Sequence, residues 1–496
     1  MAIDGISGTN AFLIQSLVDS RKQLDDLQKQ LGTGRKSETY QGLGRDVGTD
    51  VAFRHQISIL DGYQRTIDRV SIRLNVLDDA LTHLDGIVRD TRADIDPNNF
   101  DLLGGDQTIA QRNAKIALGE ALSTLNVQAD DRFVFSGRAV DQKPLVELDT
   151  ILDGGGGLAG LRQVVDERRQ ADLGTSGLGR LTVGTVTDTV TLAEDGNHAF
   201  GFKIDTIQNN LTNVTVTTTA GPPQSEAIQF TGLPADGEAL TFELILPDGT
   251  RESVTLTATT GTASDGTFQI GATAAATAAN FDAAVTAALT VSASTALNAA
   301  SAVQAGADFF NTAGGQAPQR VDGPPFDTAT ALRNGSADTV AYYVGDNAND
   351  DSRTTSSARI DGSLTVDYGA RANEEALSET LQALAVFSAA SFSETAPLDR
   401  DRYAELSSRI RQNLSFPPGT ESITNIHVEI VSVSESVEST RGRHVSAQGM
   451  LTQTVEEIQG INLEEVSAQI LTLQTRLQAS YQTTSILSQL TLTNFI

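Results

Sequence analysis

The sequence predicts an α+β protein: a long antiparallel helical bundle, or coiled coil, formed by the N- and C-terminal segments, with a β-rich middle inserted. Three observations carry this. Leu60, Tyr63, Ile67, Val70, Leu74, Leu77, Leu81, Leu84 and Val88 follow one another at spacings of three and four without a break, the heptad seam of one long helix. Toward the other end Ile423, Ile426, Ile430, Val433 and Val437 open a similar seam that can continue through Ala447, Leu451 and Ile458. Between the two the apolar spacing becomes two. Leu240, Phe242, Leu244 and Leu246 lead into Pro247-Asp248-Gly249, and Val254, Leu256 and Ala258 return, the pattern of a hairpin.

Taken in chain order, residues 1–50 are an assembly helix and its connector. The helix runs through Leu13, Leu17, Leu24, Leu27 and Leu31, with Thr9 or Asn10 as its expected cap. The connector is the glycine-rich stretch Gly32 to Gly48. Residues 51–185 supply the N-terminal half of the bundle, whose seam residues are Leu60, Ile67, Val70, Leu74, Leu77, Leu81, Leu84 and Val88. The β-rich middle spans 186–370 and contains an inserted domain at about 214–305. That insert holds the hairpin, a third strand at Phe268 and Ile270, and an alanine-rich helix, Ala274 to Leu289, packed on the sheet. A second β region is expected from Val340 to Tyr368. Residues 371–460 return as the C-terminal half of the bundle, which Gly460 and Asn462 interrupt. The last helix, in 461–496, carries Leu463, Val466, Ile470, Leu473 and Leu477, with Tyr481, Leu487 and Leu490 beyond.

Composition narrows the function. The chain has 496 residues, enough for about three domains and a sizeable core. A net charge of −28 repels a phosphate backbone or an anionic membrane surface, so neither nucleic acid nor membrane is expected as a partner. With no cysteine and no tryptophan there is no disulfide, no thiolate chemistry and no strong sugar-stacking surface. Met1 to Val18 lacks a basic n-region and an apolar h-region, so no ordinary secretory signal is expected. A run of about 18 apolar residues, long enough to cross a bilayer, is not expected either.

Charge within the terminal helices is the most informative feature. Arg476 is the only charged side chain from Val466 to Ile496, and Asp4 the only one from Met1 to Val18. A helix exposed on one face normally carries charges there. These faces are Gln, Ser, Thr and Asn, so the helices are expected to take neighbours on several sides. Leu13, Leu17, Leu24, Leu463, Val466, Ile470, Leu473, Leu477, Tyr481 and Leu487 are the candidate assembly residues, ordering against other copies. The alternative is a bundle within one chain that buries both helices by itself.

The order of these parts resembles a known family. The charge-poor first helix, the Leu31-Gly32-Thr33-Gly34-Arg35-Lys36 connector, the long heptad helix, the variable middle and the charge-poor last helix look like bacterial flagellin and its hook-associated relatives. Arg132-Phe133-Val134-Phe135-Ser136-Gly137, followed by Pro144-Leu145, is similar to the element after the N-terminal helices of the hook-filament junction proteins (hook-associated protein type 3). Tyr343-Val344-Gly345-Asp346 and Ala358-Arg359-Ile360-Asp361-Gly362 fit the same family. Two features depart from the superfamily pattern: Leu43-Gly44-Arg45-Asp46 stands where a paired Asp is usual, and the Ala-Asn-Gln run of flagellin C-termini is absent. The resemblance implies a structural, non-enzymatic subunit without cofactor. It would be exported through the flagellar type III pathway with a chaperone and would be extracellular, in the flagellum. It would polymerise with itself between a hook-associated protein on the hook side and flagellin on the filament side. Filament flagellin is the alternative, and a secreted adhesin or glycan-binding protein a more distant one.

Enzymatic and metal-binding motifs are weak. Gly155-Gly156-Gly157-Leu158-Ala159-Gly160 matches GxGxxG and precedes a helical stretch, Leu161 to Gln170, but no βαβ return follows, so a turn is the better reading. His55, His83, His198, His427 and His444 are scattered, none in an HExxH frame, and are expected on solvated helix surfaces. Asp346, Asn347, Asn349, Asp350 and Asp351 offer oxygen ligands without EF-hand spacing, and read as a polar surface turn rather than a metal site.

Overall fold

In a computed structural model residues 4–102 and 104–493 are described, and side chains between positions 11 and 486, Leu103 excepted. Leu487 and Leu490 therefore lie outside the described side chains. The chain is α+β. Helix α1 (Asp4–Thr33) is already under way at Asp4, so Thr9 and Asn10 are not its cap. Gly5 and Gly8 each cost about 1 kcal/mol relative to alanine but do not terminate a helix. A 3₁₀ turn (Tyr40–Asp46) occupies the connector. Helix α2 (Val47–Asp94) takes in the whole N-terminal seam. Along it Ile67, Val70, Leu74, Leu77, Leu81, Leu84 and Val88 are buried and Leu60 is half-buried.

Helix α3 (Ile109–Leu125) starts on a capping box in which Thr108 and Gln111 bond each other's backbone reciprocally. The buried Gln111 amide also donates to the Phe387 and Ala390 carbonyls at 2.9 and 2.8 Å. Strands β1 (Gln128–Ala129) and β2 (Arg132–Phe133) form a short ladder, followed by α4 (Leu148–Asp153) and α5 (Leu161–Leu173). The strand-rich part comprises β3 (Leu181–Val186), β4 (Thr189–Glu194), β5 (Lys203–Asn209), β6 (Val214–Thr219), β7 (Ser225–Phe230), β8 (Ala239–Ile245), β9 (Arg251–Thr259) and β10 (Thr267–Gln269). Next come α6 (Ala274–Ser292), a π turn (Ala293–Leu297) and α7 (Asn298–Phe310), then β11 (Gln319–Val321), β12 (Leu332–Asn334), β13 (Ser357–Arg359) and β14 (Thr365–Asp367). The chain closes with α8 (Glu375–Ala389), α9 (Asp399–Asn413), α10 (Ile423–Gln459) and α11 (Leu463–Thr493).

Contacts divide the chain into two compact units. The first contains the chain up to Arg69, Arg359–Thr365 and the chain from Ser436; the second contains Val70–Ala358 and Val366–Glu435. In the first unit, Tyr63 and His444 stack with ring centroids 5.7 Å apart and Arg441 meets Asp68 at 3.0 Å. Residue numbers fall along one helix as they rise along the other, so α2 and α10 run antiparallel there. Thr440 and His444 are both buried. They occupy the seam positions between Val437 and Ala447 that an apolar-only pattern skips.

The second unit holds two four-stranded sheets, in the orders β3-β4-β7-β6 and β10-β9-β8-β5. Alternating residues of both meet α6 in one core that includes Val190, Leu192, Ile228, Phe230, Phe242, Leu256, Phe268, Phe281 and Leu289. The β8–β9 hairpin turns at Pro247 to Gly249, where Gly249 has φ +78°. The third strand, β10, lies parallel to the end of β9. This core begins at Leu181 and ends at Ala300, so the expected insert boundary at 214 cuts through a sheet and the one at 305 cuts through α7. The expected β region from Val340 to Tyr368 is mostly irregular, with only β13 and β14 as strands. Asp346 and Asp351 accept hydrogen bonds from the backbone N–H of Ala348 (3.2 Å) and Arg353 (2.9 Å), turn bonds that compete with a ladder. The helical run Ala274–Phe310, with mean hydropathy 1.3, is long and apolar enough to cross a membrane by length and composition, contrary to expectation. Its Phe281, Leu289 and Phe309 are buried in the protein.

Candidate assembly surface

Helices α1 and α11 pair within the first unit along a narrow stripe. Leu27, Val466, Ile470 and Leu473 form a small core, with Leu24 and Ile461 against it. Leu477 is buried as well, and Leu13 and Leu17 are half-buried. Val466, Ile470 and Leu473, expected to order against other copies, here pack against Leu27 of the same chain. Two helices packed side by side each cover only one stripe, so the rest of each surface stays open. On that open surface lie Phe12, Ile14 and Val18 of α1 and Leu463, Leu471, Tyr481 and Ile486 of α11, all exposed. Of the expected residues whose side chains are described, Leu463 and Tyr481 fall in this set. At about 100° per residue, Leu471 lies well round from the buried stripe of α11, whereas Leu463 and Tyr481 lie at its margin, on the Ile470 side.

The two breaks in the helices are pinned together. Lys36 N–H donates to the Gln459 carbonyl at 2.7 Å, and Ile461 N–H to the Gly34 carbonyl at 3.2 Å. Lys36 Nζ reaches the Ile458 carbonyl at 2.9 Å. The Gln459 side-chain amide donates at 2.6 Å to Asp50, which is fully buried at the start of α2 and also accepts from Arg54 Nε at 3.1 Å. Asn462 then starts α11, its side-chain oxygen accepting from the N–H groups of Glu464 and Glu465. The sequence marked both breaks but contained no sign that they face each other.

In the second unit the segments around Phe135, Tyr343 and Ala370 converge. Asp346 N–H donates to the Ser136 carbonyl at 3.0 Å, Gly137 N–H to Ala370 at 3.1 Å and Ala372 N–H to Phe135 at 2.9 Å. A side chain at Gly137, φ +60°, would collide with Asp346 and Arg371. Asp346 accepts from Arg138 at 3.0 Å and Arg371 at 3.1 Å, and both arginines also hold Asp350. Asn347 accepts from Asn373 at 2.8 Å. Guanidinium groups thus face the Asp346 and Asp350 carboxylates of the turn.

Hydrogen bonds from Arg138 and then Arg371 push the Asp350 carboxyl down to about 2. A depressed carboxyl stabilises the fold above its unfolded value, near 4, and that contribution disappears as pH falls through the folded value. The loop 346–351 should therefore hold at pH 5 and open between about pH 4 and pH 2. Titration of the Asp350 carboxyl carbon by NMR reads this directly; a midpoint near 4 would mean that the arginines do not hold it.

The remaining motifs resolve into structure. Gly155 and Leu158 bridge a tight turn. A Cβ at Gly154 or Gly160 would strike backbone atoms of that turn at 2.3 Å, so the glycines let the chain fold on itself. Two histidines depart from the expected solvated helix surface. His198 lies in a loop with its side chain 2% exposed, between Asp195 (2.7 Å) and Arg180 (2.9 Å). Burial lowers its pKa against the opposing effect of Asp195. His444 is buried against Tyr63. His55 and His83 are exposed, and His427 contacts Asp78 at 2.6 Å. No protein-family model and no curated protein matches the chain.

Proposed function

We propose that this chain is a structural subunit of the bacterial flagellum, forming the hook-filament junction by polymerising through its terminal helices. The observation that carries the reading is the set of exposed apolar side chains on the α1/α11 pair, Phe12, Ile14, Val18, Leu471, Tyr481 and Ile486, in stretches that hold a single charge each, Asp4 in 1–18 and Arg476 in 466–496, in a chain of net charge −28. In this reading the helices from both ends form a long antiparallel bundle, and the strand-rich part is an insertion facing outward. The chain acts without catalysis or cofactor. It is exported unfolded with a chaperone, then meets a hook-associated protein on one side and flagellin on the other. The packing supports this: one stripe of each helix closes the chain on itself, and exposed apolar side chains remain outside it for neighbours.

Neighbouring residues of α11 test that separation. Leu471 is 65% exposed and Ile470 8% exposed. Leu471→Asp together with Phe12→Asp should change the melting free energy of the monomer by no more than about 0.5 kcal/mol and abolish incorporation into flagella. Ile470→Asp should instead loosen the α1/α11 pair. A dye on a single cysteine introduced into this cysteine-free chain locates the product on cells. A spot at the hook end supports the junction reading, a whole labelled filament makes the chain a flagellin, and a diffuse coat makes it an adhesin. Normal incorporation of the double variant would remove the exposed face from the assembly.

A further inference from the structure

Strand β6 (Val214–Thr219) ends its sheet, paired on one side with β7 and on the other, among the described residues, with no strand. Natural sheets protect such edges with charged side chains, proline or a bulge. Here the strand reads Val-Thr-Val-Thr-Thr-Thr, and its register with β7 runs unbroken from Val214↔Phe230 to Thr219↔Ser225. No charged residue occurs from Thr206 to Ser225. Glu226, the carboxylate nearest the strand, is buried and accepts from Thr218 Oγ1 at 2.7 Å. A chain that carries −28 and would repel its own copies presents here an uncharged, β-branched edge.

The backbone pattern selects how that edge can be met. Asn213 accepts from Thr231 N–H at 2.8 Å, whereas Phe230, opposite Val214, donates to the Asp188 carbonyl at 2.9 Å, away from β6. By the alternation of an antiparallel ladder, Thr215, Thr217 and Thr219 bond β7, and Val214, Val216 and Thr218 aim their N–H and C=O groups outward. The Val214 carbonyl is taken by Asn209 Nδ2 at 3.0 Å. Val216 and Thr218 remain. A second β6, antiparallel and centred on Thr217, places Val216 opposite Thr218 of the second copy and Thr218 opposite Val216 of the second copy. Every outward group of these two residues is then satisfied, and none that is already bonded is needed.

We propose that β6 is a self-pairing edge through which two copies of this chain join their strand-rich units, in a two-fold antiparallel register centred on Thr217. The occupant is a second copy because the register is self-complementary and because two edges without charge meet without repulsion. The inference does not rest on the flagellar reading.

The absence of cysteine makes the register measurable in the full-length chain. Thr217 would lie opposite Thr217 of the second copy in a non-hydrogen-bonded pair, with Cα atoms about 4.5 Å apart, within disulfide range. Under mild oxidation Thr217→Cys should form a disulfide dimer at least about tenfold faster than Val186→Cys, since paired thiols react at a high effective concentration. Val186 is 77% exposed at the end of β3, on the far side of the same sheet from β6, so it measures collision that does not use β6. Thr215→Cys and Thr219→Cys should cross-link when mixed, because 215 faces 219 of the second copy, and neither should do so alone. All four positions are exposed, so folding is not at stake. Equal rates for Thr217→Cys and Val186→Cys would overturn the pairing, as would homodimers of Thr215→Cys alone. Flagellar incorporation without the Thr217 cross-link would reject this inference and leave the assembly reading standing; the cross-link without incorporation would do the reverse.

Discussion

Leu81→Asp is expected to unfold the second unit outright. Leu81 is 0% exposed on α2, and removing a buried leucine side chain costs about 2 to 5 kcal/mol before any charge is considered. A carboxylate without a partner in that position adds several more, against a total stability of about 5 to 15 kcal/mol for a domain. Leu74→Asp should behave alike, at 1% exposure. Asn75→Ala, at an exposed position of the same helix, should stay within about 0.5 kcal/mol. Arg73 is not a neutral control, although the heptad places it off the seam. Its Nη1 donates to Tyr368 OH at 3.0 Å, so Arg73→Ala should cost about 1 kcal/mol. Far-UV circular dichroism melts rank the four variants, and similar midpoints for Leu81→Asp and Asn75→Ala would place Leu81 outside the core.

Deleting residues 214–305 should leave a chain that does not fold its second unit. The segment reads as a closed block, with a hairpin, a strand and an alanine-rich helix in succession. In the structure its first strand is the outer member of a sheet whose other half, β3 and β4, lies before residue 214. Excision would strip Val190, Leu192 and Phe202 of Phe230, Phe242 and Phe281, each worth about 1.5 to 3 kcal/mol when buried. It would also remove most of α7, where Ala299, Ala300, Ala302 and Ala305 are buried. Arg409 would lose Asp248, its partner at 3.0 Å with a side chain only 6% exposed. The deleted protein should bind a hydrophobic dye and melt without cooperativity. A sharp melt would show that the block closes its own core after all.

Much of the helical architecture was legible because heptad spacing reports burial locally. The seam from Ile67 to Val88, the break at Gly460 and Asn462 and the hairpin at Pro247 all rest on neighbours within a few residues. The exceptions have physical causes. Thr440 and His444 sit on the α10 seam as polar residues, so an apolar pattern passes over them. The stretch from Val340 to Tyr368 has strand-forming residues, but its Asp side chains bond the backbone of their own turn. Within α1 and α11, periodicity located the stripe that pairs them and so drew attention to Ile470 and Leu473. It could not distinguish a stripe filled by the same chain from one filled by another.

By itself the sequence determined the α+β class, the long helices and their breaks, the hairpin, and the near absence of charge at both ends. Each follows from composition or from contacts between residues close in the chain. Only the tertiary structure decided that Lys36 meets Gln459, that Arg138 and Arg371 share Asp346 and Asp350, that the core shared by the two sheets and α6 begins at Leu181, and that β6 is left at an edge. These depend on groups brought together across tens to hundreds of residues. A local pattern fixes which face of an element is apolar, and the packing of the whole chain determines what that face touches.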